Sequence, residues 1–367
     1  MSAPVNENRT VTPTEARTRV LRCFKQQRPI FIWGPPGIGK SEVIAGLTEE
    51  LGGHMIDLRL GQMEPTDLRG IPFFNKDKGV MDWAPPIDLP DAELAAQYPI
   101  VVLFLDEMNS AAPAVQAAGY QLILNRRIGK YCLPDNVVIV AAGNRESDKG
   151  VTYRMPSPLA NRFVHLEVRP DFEAWQTWAV GKKIHKDVVG YISFAKQDLF
   201  DFDPRSPSRS FATPRSWTFV SDFLDDDISD SELTDLIAGT VGEGLAVKFM
   251  AHRKVSGQMP NPTEILEGKV TELTVKEVSA MYSLTISMCY ELEAAYKKVG
   301  SGKLDTWHKQ ADNFLKFMMD NFTTELVVMG ARTALTQFNL PMVPSKMASF
   351  DTFHQKYGKY IIQASGK

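Results

Sequence analysis

The chain has 367 residues, 44% of them apolar, with 41 basic and 44 acidic side chains for a formal net charge of -3. That length predicts two or three domains, and the apolar share is enough for a sizeable core, which excludes wholesale disorder. The slight acidic excess gives no electrostatic ground for bulk nucleic-acid binding. The three cysteines, Cys23, Cys132 and Cys289, form no Cys-x-x-Cys pair. This argues against a disulfide scaffold or a zinc ribbon and fits a reducing cytoplasm. The opening stretch "MSAPVNENRTVTP" has no apolar core of the kind a secretory signal needs. The longest clear apolar runs, such as "IVVLFL" at 100–105, are far short of a membrane span. A soluble, cytoplasmic chain is the expectation.

In chain order, strands alternate with helices. "PIFIW" (29–33) is a short β-rich run ending at a glycine loop, and "KSEVIAGLTEEL" (40–51) sets Val43, Ile44 and Leu47 on one helical face. "HMIDLRL" (54–60) predicts a second strand. "IVVLFL" is continuously apolar, as a parallel strand covered on both faces must be. A helix over 113–124 and strands over 136–143 and 163–168 follow. Five strands alternating with helices predict a parallel α/β sheet with right-handed crossovers. Two stretches break the rhythm. Residues 61–99 carry glycine and proline punctuation without a long helix and read as an inserted hairpin or lid. Residues 125–135, "NRRIGKYCLPD", read as a second, smaller hairpin.

Beyond residue 170 the texture becomes helical, apart from a Pro/Ser/Arg-rich linker at 203–217. Helices are predicted over 171–182, 185–199, 215–225, 231–254, 273–299, 304–320 and 322–337. The acidic run at 222–235 reads as a solvated helix start rather than a metal site. "FLKFMMDNF" (314–322) reads as helix core, with methionine as a gap filler.

The chemistry concentrates in three places. Gly34, Pro35, Pro36, Gly37, Ile38, Gly39, Lys40 and Ser41 match G-x-x-x-x-G-K-[ST] in full, with a strand before and a helix after. Glycines let successive N–H groups turn inward on an anion, and the following helix adds its positive N-terminal dipole. Lys40 would reach the β- and γ-phosphates, and Ser41 would offer its hydroxyl to Mg²⁺. The second place is "LFLDEMN" (103–109), where an apolar run leads to Asp106 and Glu107 at the edge of the sheet where ligands bind. Asp106 would hold the Mg²⁺ shell, and Glu107 would orient and activate a water. The third is Asn144, at the end of a strand that can lie between the loop strand and the Asp106 strand. Its amide would then face the attacking water. Asparagine also caps helices and forms turns, and position alone does not separate these roles.

These motifs, in this order, resemble AAA+ ATPases and most closely the MoxR-like branch. The resemblance is carried by "QMEPTDLRGIP", "WAPP", "LFLDEMNSAAPAVQAAGYQLILNRRIG", "VIVAAGNRESD" and "SPLANRF", and covers roughly residues 17–220. It implies that Asn144 is the sensor-1 residue, that Arg162 is an arginine finger reaching a neighbouring subunit's γ-phosphate, and that Arg215 is sensor 2 at the head of a lid helix. Arg145 and Arg154 are rivals for a phosphate contact in trans. The resemblance further implies that 61–99 is a helix-2 insert and 125–135 a hairpin before sensor 1, both facing a ring pore. Many relatives have threonine where Ser41 stands, and serine supplies the same hydroxyl.

The expected architecture is therefore a P-loop (ASCE) α/β core with a five-stranded parallel sheet over 1–170, an all-helical lid over 171–260 and a helical C-terminal extension over 261–367. The expected activity is Mg²⁺-dependent ATP hydrolysis by a homo-oligomeric, hexameric ring that remodels a protein, with a von Willebrand A-domain partner implied by the resemblance. A nucleic-acid motor, an ATP-dependent scaffold ring and a monomeric kinase are the competing readings. The six histidines show no His-x-x-x-His spacing, which argues against zinc catalysis.

Overall fold

In the computed structural model the described residues are 9–148, 152–153, 155–299 and 304–365, with side chains described to residue 360. Arg154 lies outside them. The chain forms two compact units: Met1–Asp171 with Phe202–Pro207, and Phe172–Asp201 with Ser208–Lys367.

The first unit begins with β1 (Thr10–Val11), α1 (Pro13–Lys25), β2 (Ile30–Trp33), α2 (Lys40–Glu50) and β3 (His54–Arg59). It continues through α3 (Pro65–Arg69), β4 (Ile71–Asn75), β5 (Val80–Ala84), α4 (Ala92–Ala96), β6 (Val101–Asp106) and α5 (Pro113–Asn125). It closes with β7 (Arg127–Ile128), β8 (Tyr131–Cys132), β9 (Val137–Gly143), α6 (Ser157–Ala160) and β10 (Val164–Val168). The main sheet runs β1-β10-β2-β9-β6-β3, all parallel. β9 lies between β2 and β6, the placement on which the reading of Asn144 depends.

All seven residues of β9 and the first five of β6 are buried, so these continuous apolar runs occupy the sheet interior with helices on both faces. The sheet has six strands rather than five. The sixth, β1, is two residues long, too short to leave a periodicity, and it pairs Val11 with Val168 at the edge. α1 was also unforeseen. It starts at a capping box, in which the Thr12 hydroxyl accepts from Glu15 N–H and the Glu15 carboxylate accepts from Thr12 N–H, and it buries Ala16, Val20 and Phe24 at four-residue spacing.

Both interruptions are hairpins. β4 and β5 pair antiparallel from Ile71↔Ala84 to Asn75↔Val80. The Asn75 side-chain oxygen accepts from Asp77 and Lys78 N–H across their turn. β7 and β8 form the smaller one. Lys130 joins the two hairpins through Asp82 at 2.5 Å, and the segment after β5 is held by the Tyr131 hydroxyl on Pro90 carbonyl at 2.6 Å and by Asn136 on Ala95 carbonyl at 2.8 Å.

The second unit holds α7 (Phe172–Gly181), α8 (Lys186–Phe194), α9 (Pro214–Phe223), α10 (Asp230–Val241) and α11 (Glu243–Ser256). It then holds α12 (Pro262–Leu266), α13 (Val278–Val299), α14 (Leu304–Asn321), α15 (Thr324–Arg332) and α16 (Phe350–Ser365). The helix expected over 231–254 is broken at Gly242, whose φ of 100° ends α10 and begins α11. The helix expected over 322–337 stops at Arg332 and continues as a π turn over Thr333–Gln337. α12 and α16 carry no expectation from the sequence. Two apolar clusters fill the unit, one around Trp217 and Phe249, the other around Trp307 and Phe314. α13 serves both, with Ile286 in the first and Met288 and Cys289 in the second. It packs so closely on α8 that a Cβ at Gly190 would lie 2.2 Å from Ser283 Oγ. Met318 and Phe317 are buried on α14, as the reading of that stretch as core required.

Candidate nucleotide-binding site

Register builds the site. Trp33 pairs with Gly143, so Gly34 and Asn144 leave the sheet side by side. Leu105 pairs with Ala141 and the Met108 N–H donates to Ala142 carbonyl at 3.0 Å, which brings the turn after Asp106 to the same edge. Three strand ends therefore deliver the glycine loop, Asn144 and the Asp106–Glu107 pair to one edge of a parallel sheet.

The loop has the conformation its glycines permit. Gly37 and Gly39 have φ of 73° and 87°, in the left-handed region. A Cβ at Gly34 would lie 2.6 Å from the Ile38 side chain and 2.8 Å from the Val168 carbonyl. α2 starts at Gly39 with no side-chain cap, whereas α1, α9 and α10 are capped by Thr12, Thr213 and Ser229. Its leading N–H groups are the donors an anion would satisfy.

Lys40 turns back across the loop. Its ammonium donates to the carbonyls of Gly34 at 2.8 Å and Pro35 at 3.0 Å, and to Asn144 Oδ1 at 3.0 Å. Lysine and asparagine, 104 residues apart in sequence, thus touch at the centre of the site. Asp106 Oδ1 accepts from the Glu107 N–H at 2.9 Å. Glu107 has φ of 54°, the left-handed region that a non-glycine residue seldom occupies. The loop after β3 passes so near that a Cβ at Gly61 would lie 2.8 Å from Glu107 Oε2. The Asp57 carboxyl, on β3 beside β6, is pushed up by desolvation and then by the Asp106 carboxylate. The chemistry fits a nucleotide and a hard cation: the leading N–H groups of α2 and the Lys40 ammonium for phosphate, and the Ser41 hydroxyl and Asp106 carboxylate for Mg²⁺.

Arg162 is elsewhere. It is exposed in the turn between α6 and β10, and its N–H donates to Leu159 carbonyl at 2.9 Å. Its side chain has no partner among the described residues. Val164 pairs with Ile30 and Glu167 with Trp33, so Arg162 precedes β10 at the edge opposite the glycine loop. Arg145 is engaged within its own chain. It donates to Asp148 at 2.9 Å and Glu167 at 3.4 Å, and these carboxylates, Asp148 first, raise its guanidinium pKa further. Arg215 is exposed in the first turn of α9, in the second unit.

Two participants carried no expectation. Asn109 is buried and donates from Nδ2 to Asn144 carbonyl at 2.7 Å. Gly61 makes room for Glu107. A polar residue following an Asp-Glu pair at the end of a buried strand was the available signal for Asn109.

Residues 30–169 match the AAA family, ATPases associated with various cellular activities. The match supports nucleotide binding, and the matched stretch contains the loop, Asp106, Glu107, Asn144 and Arg162. A stretch of 160 residues is 28% identical to Midasin of Giardia intestinalis, covering 41% of this chain and 3% of that one. The chain thus spans a small fraction of that relative's length. Among solved structures, the RuvB Holliday junction branch migration motor of Thermotoga maritima is similar at 16% identity and a TM-score of 0.34, over 70% of this chain and 76% of that one. NtrX from Brucella abortus is similar at 12% identity and a TM-score of 0.36, over 96% of this chain and 69% of that one. These are distant likenesses; the strand order and the loop described above define the fold. No helix among the described residues is long and apolar enough to cross a membrane.

Proposed function

We propose that the chain hydrolyses ATP at this site as one subunit of a ring, in the manner of the MoxR-like branch. The observation that carries the proposal is the meeting of Lys40 with Asn144 beside the Asp106–Glu107 turn. On this reading Lys40 and the N–H groups of 34–41 bind the phosphates. Mg²⁺ held by Ser41 and Asp106 would neutralise phosphate charge. Glu107 takes a proton from the attacking water, and Asn144 positions that water. The opposite-edge placement of Arg162 supports its action on a neighbour. Gly34 lies four residues beyond Ile30, roughly 13 Å along the strands, and Arg162 lies two residues before Val164 on the other side. Its free guanidinium suits a finger in trans, and Arg145, paired twice, suits that role less. Arg215 is proposed as sensor 2, with 171–260 as lid and 261–367 as extension.

The work is proposed to be remodelling of a protein, with a von Willebrand A-domain protein as first partner. The β4–β5 hairpin supports a protein over a nucleic acid. It exposes Ile71, Phe74 and Met81 at 65%, 60% and 61%. The candidate basic lining at 125–130 is largely engaged: Arg126 donates to the Pro134 and Val137 carbonyls, and Lys130 is paired with Asp82. The test is ATP turnover per subunit against protein concentration. A rise to saturation, abolished by Glu107→Gln, is expected; activity independent of concentration would overturn the shared site.

A further inference from the structure

We infer that Asn109 is a positioning residue, which holds Asn144 in register with Glu107; this rests on the hydrolytic reading of the site. Asn109 sits two residues past Glu107 and is only 2% exposed. Its Nδ2 donates to Asn144 carbonyl at 2.7 Å, and its own carbonyl accepts from Tyr153 N–H at 2.6 Å. One side chain thus fastens the turn that carries the proposed base to the strand end that carries the phosphate-facing amide. Its backbone fastens that turn to the segment leading toward α6 and Arg162.

The amide is held at some expense. Asn109 Oδ1 is buried without a hydrogen-bond partner among the described residues, an arrangement that stability alone would select against. A leucine there would fill the space without an orphaned acceptor. The neighbouring residue is shaped to admit the amide: a Cβ at Gly143 would lie 2.1 Å from Asn109 Oδ1. Gly143 is no positive-φ position, so glycine is needed here for space and not for conformation. Glycine before Asn144 and asparagine after the Asp-Glu pair are therefore two halves of one contact. Asn109 touches no reacting group and acts through Asn144. Its loss would let the Asn144 amide shift relative to Lys40 and Glu107, and displacements of that kind lower turnover without removing the groups that bind phosphate.

The test is a double-mutant cycle in the full chain, read as kcat, KM and nucleotide affinity by titration with a fluorescent ATP analogue. Asn109→Asp keeps the shape and replaces the donor with an oxygen facing a carbonyl; Asn109→Ala removes both. Each should lower kcat about 10- to 100-fold with KM and nucleotide affinity changed by less than a few-fold. Added to Asn144→Ala, either should lower kcat little further, because the pathway through Asn144 is already lost. Gly143→Ala should reproduce the defect with both amides intact. Full additivity with Asn144→Ala, or unchanged kcat in Asn109→Asp, overturns the inference. Glu107→Gln in the same assay separates the two levels. If it abolishes turnover while Asn109→Asp does not affect it, only the inference fails. If it leaves turnover at the wild-type rate, the hydrolytic reading fails and the inference with it.

Discussion

Replacing Glu107 by glycine should stabilise the first unit more than replacing it by alanine, while both end turnover. Glu107 has φ of 54°, and an L residue in the left-handed region costs about 1–2 kcal/mol. Glycine avoids that cost but loses about 0.5–1 kcal/mol more chain entropy on folding than alanine does. Both substitutions remove the side chain that packs against Gly61, so that loss cancels between them. The remainder places Glu107→Gly roughly 0.5–1 kcal/mol above Glu107→Ala. For a unit of this size that is a shift of about 2 °C in melting temperature. Urea denaturation and calorimetry of the two variants, side by side with ATP turnover, make the measurement. An alanine variant as stable as the glycine one would refute the claim of strain at this residue. If the order holds with turnover lost in both, the carboxylate is kept in a conformation that stability disfavours, as expected of a group placed for chemistry.

Lys40→Ala should weaken nucleotide affinity at least tenfold in a fluorescent-nucleotide titration, since it removes the only ammonium among the described groups bonded at the loop. Arg162→Ala should bind nucleotide normally and lose turnover, and mixing it with Lys40→Ala subunits should restore part of the activity; no recovery would count against a shared site. Burial pushes the His252 imidazole down to about 4 from its ordinary 6.5. The unfolded chain therefore takes up a proton that the folded chain refuses, and stability falls as pH drops from about 6.5 toward 4, by up to about 3 kcal/mol. Urea midpoints against pH should flatten over that window in His252→Gln. The Lys130 ammonium holds the Asp82 carboxyl below its ordinary range, so Lys130→Ala should raise the Asp82 pKa, read by NMR titration of that carboxyl, and an unchanged titration would refute the pairing.

What the sequence made legible followed the strength of its periodicities. β6 and β9 are buried on both faces, and their short, β-branched, unbroken apolar runs pointed to interior strands. The glycine loop announced itself because its geometry needs glycine at 37 and 39. β1 was invisible, since two residues carry no alternation and Val11 is held only by its partner Val168. The break at Gly242 was hidden inside a pattern whose apolar spacing continues through it. α16 is amphipathic, but it follows a proline-punctuated stretch and no separate helix was expected there. At the candidate site, Lys40, Asp106, Glu107 and Asn144 stood out because phosphate and water chemistry call for those residue types at those strand ends, and the structure brings the strand ends to one edge. Asn109 and Gly61 were not, because their roles exist only where two distant stretches meet: one fills the space that Gly143 leaves, the other leaves space that Glu107 fills.

The direction of the sheet carries a consequence for how such a site would be controlled. In a parallel sheet every strand end that carries the phosphate machinery lies at one edge, and every residue that precedes a strand lies at the other. Arg162 precedes β10, the neighbour of the loop strand. Its separation from the chain's own Gly34 is the length of the strands themselves, a rigid spacing that no side-chain rotamer alters. On the proposed reading, the chain holds everything needed to bind ATP and to place a water, yet has its finger at the wrong edge for its own use. Binding and turnover are then separable by construction. A subunit alone would hold nucleotide, and an assembled neighbour would release the chemistry. Any partner that shifts adjacent subunits would govern hydrolysis without touching Lys40, Glu107 or Asn144.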